Sequence, residues 1–225
     1  MKRIIILITI VLTSTTFAQK AVDKEVGEFT ELKVYDLIEV EMVKSSENKV
    51  VITGENKEDV IVTNKNGKLK IKMTLNEIFD GAETKVVLHY THVDIIDVNE
   101  GAKVYSNDTI KQFEIDFKAQ EGATIAIPID VKYANIKAVT GGIIKTSGHS
   151  NSQDISLSTG GVYKGTDLKT EKTEVSINAA GEAYVNASKL VDIKIRAGGD
   201  VFVYGNPETV NESKVFGGRV KRMEN

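Results

Sequence analysis

The chain has 225 residues, 29 basic against 32 acidic residues for a formal charge of −3, 41% hydrophobic residues and no cysteine. This length can bury a sizeable core, and the balanced composition excludes both a disordered chain and a multi-span membrane protein. The lack of cysteine closes off disulfides, thiolate metal sites, cysteine nucleophiles and lipobox lipids, and without a basic block there is no electrostatic grip on nucleic acid.

The first element is an address. Met1-Lys2-Arg3 supplies a positive tip, Ile4 to Leu12 is an apolar run interrupted by Thr9, and Thr16-Phe17-Ala18 ends in small residues. Together they predict a signal peptide over residues 1–18, cut between Ala18 and Gln19. The run is too short to cross about 30 Å of hydrocarbon, so no stable membrane span should remain after cleavage. The mature chain then carries 27 basic against 32 acidic residues, a charge of −5. The expected destination is outside the cytoplasm: periplasm, outer cell surface or medium.

Beyond the signal the pattern is that of strands. Phe29, Leu32, Val34, Leu37, Ile38, Val40 and Met42 mark short apolar stretches, followed by Val50-Val51-Ile52 and Val60-Ile61-Val62. Asn66-Gly67 separates the latter from Leu69-Lys70-Ile71-Lys72-Met73, whose alternation gives one buried and one wet face, and Asn-Gly predicts a type I′ hairpin turn. Residues 27–92 read as an antiparallel β-meander, with a single helical turn at Leu75 to Phe79.

From residue 93 the chain repeats. Small pairs recur as Gly101-Ala102, Gly122-Ala123, Gly141-Gly142, Gly160-Gly161, Ala180-Gly181, Gly198-Gly199 and Gly217-Gly218, at offsets of 21, 19, 19, 20, 18 and 19 residues. Counting from the second member of each pair, position −6 holds Ile96, Phe117, Ile136, Ile155, Val175, Ile193 and Glu212. Position −4 holds Val98, Ala119, Ala138, Leu157, Ile177, Ile195 and Lys214, and position +2 holds Val104, Ile125, Ile144, Tyr163, Ala183, Val201 and Val220. Even offsets lie on one face of a strand. Hairpins in a sandwich also turn often, but a coiled solenoid explains why the small pair returns once per rung: equivalent residues stack about 4.8 Å apart, and a Gly or Ala column marks a bend or a close approach.

The expected fold is therefore all-β, a right-handed single-stranded parallel β-helix with an N-terminal β-meander cap. Residues 19–225 would form one domain, 27–92 as the cap and 93–225 as about seven repeats of ~19 residues. Glu212 and Lys214, polar where earlier units are apolar, and then Arg219, Lys221 and Arg222 read as a solubilising end.

Phe29, Leu32, Val34, Ile38 and Val40, the Leu69-Lys70-Ile71 strand after Asn66-Gly67, the serial small pairs, Gly199-Asp200-Val201-Phe202-Val203-Tyr204-Gly205-Asn206-Pro207 and the terminal Phe216-Gly217-Gly218-Arg219-Val220 together resemble the head GIN domain of auto-transporter adhesins. The resemblance covers nearly all the mature chain. It implies an exported β-helical domain of unknown biochemical function and supplies no catalytic residue.

No catalytic constellation stands out. His89 and His92 are three apart, on opposite faces of an extended strand, so they should not share a metal ion. His149 reads as part of a loop, Ser147 to Ser152, without assignable triad partners, and Asp94, Asp97, Asp108, Asp116 and Asp130 occupy unequal repeat positions, as solvated residues would. Neither a phosphate loop nor a calcium nonapeptide is present, so no cofactor is expected. Asp108-Thr109-Ile110 resembles an O-glycosylation acceptor of some bacterial export pathways. Of the repeat-region aromatics, Tyr105, Tyr184 and Phe202 share offset +3, outward by parity, and form a candidate ligand-binding stripe; the alternative is that such tyrosines simply cover a strand face. The expected function is an exported, non-enzymatic binding or adhesion module, with a cell-surface glycan or envelope protein as partner. The competing class is a polysaccharide-acting β-helix lyase or hydrolase, disfavoured because the column of Arg196, the mature chain's first arginine, holds Ser158 and Asn178 on earlier rungs and no acid.

Overall fold

The computed structural model describes residues 21–77 and 80–224, so the expected signal segment with its expected Ala18–Gln19 cut, and Phe79 of the expected helical turn, lie outside the described residues. The repeat units form the turns of a β-solenoid, and the described strands join in one 17-stranded sheet. The only helical pieces described are 3-10 turns at Lys57–Asp59 and Leu75–Glu77.

The columns expected from the repeat are the observed register. Strands β8 (Ile95–Val98), β9 (Lys103–Tyr105) and β10 (Ile110–Ala119) lead into the long strands β11 (Thr124–Val139), β12 (Ile143–Ser158), β13 (Gly161–Ile177) and β14 (Gly181–Ala197), all paired in parallel. Ile96, Phe117, Ile136, Ile155, Val175 and Ile193 stack in successive layers, and each is at most 2% exposed. Burial of such side chains contributes about 1.5–3 kcal/mol apiece, but only when a neighbouring layer covers them, which ties each rung to the next.

The N-terminal region departs from the expected meander. β2 (Glu31–Val34) pairs in parallel with β8, and β3 (Glu39–Lys44) with β9, so this part of the chain is itself a rung. β6 (Lys68–Met73) and β7 (Thr84–Tyr90) add a further parallel layer on β2 and β3. Leu32 and Leu69 thus extend the Ile96 column, and Val34 and Ile71 extend the Val98 column. Antiparallel pairing is confined to the cap: β1 (Val22–Glu25) on β4 (Lys49–Gly54), β4 on β7, and β5 (Val60–Lys65) on β6. The β5–β6 turn is the predicted hairpin, with Asn66 and Gly67 at φ 54° and 75°.

The small pairs perform two separate tasks. Their first members turn the corner: Thr140 and Gly141 have φ 49° and 74°, and the Gly142 amide closes the turn on the Val139 carbonyl at 2.9 Å. Where the second member is glycine it is crowded, since a Cβ on Gly161 would lie 2.5 Å from the Ala138 carbonyl carbon on the layer below. The β2–β3 rung turns the same corner with Asp36 and Leu37, φ 60° and 62°, residues that leave no small-pair signature. The opposite side of each rung is an open bend, where pairing skips Phe113, Lys132 and Asn151.

At the C-terminal end, β15 (Asp200–Tyr204), β16 (Thr209–Phe216) and β17 (Arg219–Arg222) continue the stack. Glu212 and Lys214 take the layer positions of Ile193 and Ile195 and pair at 3.1 Å, so the last inward face is charged. Such charges blunt an edge against further strand addition.

Candidate functional site

The outward column that follows each tight corner runs Glu41, Tyr105, Ala126, Lys145, Lys164, Tyr184, Phe202 and Lys221 in continuous register. The predicted aromatic residues therefore share one wall, but only two of them meet. Tyr184 and Phe202 stack face to face with centroids 4.6 Å apart and planes at 10°, and the Lys221 ammonium caps the stack, 5.9 Å from the Phe202 centroid. The register that makes them neighbours is a consequence of parallel stacking at about 4.8 Å. Tyr105 is separated from them by Ala126, Lys145 and Lys164. Its hydroxyl donates to Glu39 and Glu41 at 3.3 and 3.2 Å, and the Lys85 ammonium sits 5.6 Å from its ring centroid.

Between Tyr105 and Tyr184 the wall dips. Ala126, Pro128, Lys145, Thr146, Lys164 and Asp167 line an open depression of about 530 Å³. Its shape follows from the longer unit between Gly161 and Gly181: pairing slips between Lys145 and Ser147, opposite the extra residue of β13, which bulges the wall. Underneath, Tyr163 occupies a core position fully buried, and a Cβ on Gly165 would lie 2.5 Å from its ring.

A chain of hydrogen bonds supports this bulge. The Thr146 hydroxyl donates to the Tyr163 oxygen at 2.7 Å, and Tyr163 donates to Gln153 Oε1 at 2.6 Å. Gln153 Nε2 donates to Thr173 at 2.9 Å, Thr173 to Thr170 at 2.9 Å, and Thr170 to the Asn186 carbonyl at 2.8 Å. The hydroxyls of Tyr163, Thr173 and Thr170 each both donate and accept, as buried polar groups require. Burial pushes the Tyr163 phenol up, against the Thr146 hydrogen bond, so it stays neutral. Its role is structural.

The other sequence candidates are scattered. His92 pairs with Asp94 at 2.7 Å, and His149 lies 3.9 Å from Asp130 on the adjacent rung. His149 is within β12 and not in the expected loop, because the strand crosses the open bend without interruption. Asp97 is not a solvated residue: it is 6% exposed and accepts from Lys33 at 2.6 Å and from Asn99 at 3.0 Å. Burial opposes its charge, but Lys33, Asn99 and Gln120 hold the carboxyl below the usual range. Glu100, beside Asp36 at a corner, is pushed up by burial and then by that neighbouring acid. Asp108 accepts from the Lys44 amide at 3.0 Å, and Thr109 is exposed in the turn between β9 and β10. Among the described residues no three His, Asp or Glu side chains gather into a metal-binding group.

One aromatic pair escaped sequence reasoning. Phe113 and Tyr133 meet at the open bend, centroids 5.3 Å apart, on the opposite wall. Phe113 follows no repeat column, because the bend is where the register skips; a signal was available only in its proximity to the Tyr133 rung.

The family model described as "putative auto-transporter adhesin, head GIN domain" matches residues 28–207. The chain belongs to the head GIN domain family. Solved structures with the same fold include a "putative adhesin" from Bacteroides fragilis, 17% identical, with a TM-score of 0.82 over 92% of this chain and 98% of that one. A "putative lipid binding protein" from Parabacteroides distasonis is 16% identical, with a TM-score of 0.69 over 91% of this chain and 96% of that one. A "putative adhesin" from Parabacteroides merdae is 13% identical, with a TM-score of 0.67 over 91% and 96%. No curated protein sequence matches the chain. In this head GIN domain the match ends before β16, so the charged terminal rung lies beyond the family model. No described helix is long and apolar enough to cross a membrane.

Proposed function

We propose that this head GIN domain is an exported binding module that holds a surface glycan on its aromatic and lysine-bearing wall without turning it over. The observation that carries the reading is the stacked Tyr184–Phe202 pair, outward on two consecutive rungs with centroids 4.6 Å apart. The exposed edges of this aromatic stack give a sugar ring apolar contact at low rotamer cost. Lys145, Lys164 and Lys221 in the same column favour a glycan bearing carboxylate or sulfate groups. The shared surface is rigid because each strand is fixed by its neighbours on both sides, so little ordering is required on binding.

The lipid-binding description of the Parabacteroides distasonis relative finds less support on this wall. Its depression has Ala126, Ile127 and Pro128 on one side, but Lys145, Thr146, Lys164 and Asp167 also line it, polar groups an acyl chain would have to desolvate. The test is replacement of Tyr184 and Phe202 by Ser, alongside Tyr105→Ser, with binding to an acidic polysaccharide measured by biolayer interferometry. The double variant should bind at least about tenfold more weakly. Tyr105→Ser should have a smaller effect, because its ring stands apart and its hydroxyl is held by Glu39 and Glu41. Undiminished binding by a folded double variant would make the stripe a covered strand face only.

A further inference from the structure

The wall on the other side of the open bend carries a different chemistry. Phe113 and Tyr133 are 60% and 46% exposed, their rings 5.3 Å apart and tilted by 57°, with the Lys132 ammonium 5.6 Å from the Phe113 centroid. Exposed aromatic surface rimmed by polar groups marks an interaction site. Tyr133 also borders an open depression of about 270 Å³ lined by Asn135, Ser152, Asp154, Lys172 and Glu174.

From that depression a polar column runs along the solenoid. Asp116, Asn135, Asp154, Glu174, Asp192 and Asn211 are register partners on successive rungs, and so recur at about 4.8 Å. The Asn135 amide donates to Glu114 at 2.8 Å and to Asp116 at 2.7 Å, which leaves its own oxygen as an acceptor. Carboxylates and amide oxygens in a row accept hydrogen bonds from hydroxyls. They repel anionic ligands. The rung repeat is close to the length of one pyranose unit, so successive sugars can meet successive rungs.

We infer that this wall is a second ligand site, separate from the Tyr184–Phe202 face, that takes a neutral, hydroxyl-rich polysaccharide laid along the solenoid axis. One sugar ring packs on Tyr133 and Phe113, and the hydroxyls of the following units donate to the Asn135, Asp154 and Glu174 oxygens. Charge sets the ligand preference: the carboxylates of the column, only partly offset by Lys132, Lys172 and Lys194, disfavour acidic chains, whereas the lysines of the first wall attract them. A protein partner fits less well, because the cores of protein interfaces are depleted in charged groups. The site shares no residue with the Tyr184–Phe202 face and stands if that face proves inert.

Affinity gel electrophoresis of the full mature chain tests this, with hydroxyethyl cellulose, xylan and mannan as neutral probes and polygalacturonate as the acidic one. At least one neutral polymer should retard the wild type and Y184S/F202S equally, and F113S/Y133S should lose about tenfold or more in affinity for it. Both aromatic side chains are exposed, so F113S/Y133S should melt with the wild type; D154K, also on the surface, provides a second variant that should weaken the same retardation. The inference is overturned if no neutral polymer retards the protein, if F113S/Y133S and D154K bind as the wild type does, or if polygalacturonate competes at this wall.

Discussion

Adding a single methyl group at Gly161 tests the stacking directly. A Cβ there would lie 2.5 Å from the Ala138 carbonyl carbon and 3.2 Å from the Ala138 Cβ, with the carbonyl oxygen closer still. These atoms belong to the layer below and are mostly backbone, so the clash is relieved only by opening the space between β11 and β13 or by twisting the corner. Either movement strains the bond from the Val162 amide to the Gly142 carbonyl, 2.9 Å long. Overpacking of this kind costs about 1–3 kcal/mol, or roughly 2–12 °C in the melting temperature of a chain this size. Gly160→Ala is the internal control. Nothing lies within 4 Å of a Cβ there, and the equivalent corner residue Ala180 already carries a methyl at φ 47°, so only left-handed backbone strain of about 1 kcal/mol is expected. Urea unfolding followed by circular dichroism should rank Gly161→Val as most destabilised, then Gly161→Ala, Gly160→Ala and Lys164→Ala. If Gly160→Ala lost as much as Gly161→Ala, crowding between layers would not be the reason for the column.

Tyr163→Phe deletes the hydroxyl that links Thr146 to Gln153 and should cost about 1–3 kcal/mol through the buried groups it leaves unpaired; a melting point unchanged within a degree would contradict the hydrogen-bond chain. Acid titration should separate two carboxyls. Asp97 has a depressed native pKa, so its contribution is present above about pH 4 and lost as pH falls through the native value; Asp97→Asn should be less stable than the wild type at neutral pH, the gap narrowing in acid. Glu100 is raised, so its ionisation weakens the fold as pH rises through its native value; Glu100→Gln should gain stability at neutral pH and nothing in acid, and the reverse order in pH-dependent melting would refute both assignments. Replacing Glu212 and Lys214 together by Ile would continue the Ile193 and Ile195 columns onto an open end; analytical ultracentrifugation should show association, and a species unchanged in mass would mean the charges do not guard the edge.

The repeat was legible because solenoid stacking turns sequence spacing into spatial register. Ile96, Phe117 and Ile136 could be aligned from the small pairs alone, and they are layer neighbours in the fold. The two N-terminal rungs were not legible for the same physical reason. Asp36-Leu37 turns the corner in left-handed backbone without glycine, and the chain leaves β3 to build the antiparallel cap before returning as β6 and β7 to cover β2 and β3. Periodicity identified these segments as strands but could not distinguish parallel from antiparallel partners. Outward parity found the wall of Tyr105, Tyr184 and Phe202, yet parity holds equally along every rung and does not say which members touch. Tyr184 and Phe202 are on consecutive rungs and stack; Tyr105 is several layers away. Phe113 was hidden because it sits at the bend, outside any column. His149 looked like a loop residue because Ser147 to Ser152 is polar, but a strand crossing an open bend can be polar and still be paired on both sides.

Whether the wall of Tyr184 and Phe202 holds a glycan and leaves it intact can be decided in one experiment. An acidic polysaccharide is passed over the immobilised mature protein and recovered, and both its retention and the size and reducing ends of the recovered polymer are recorded. Retention should be saturable and lost in Y184S/F202S, with the polymer recovered at its original length. Retention equal in the two proteins, or recovered chains that are shorter and carry new reducing ends, would contradict a binding wall without turnover.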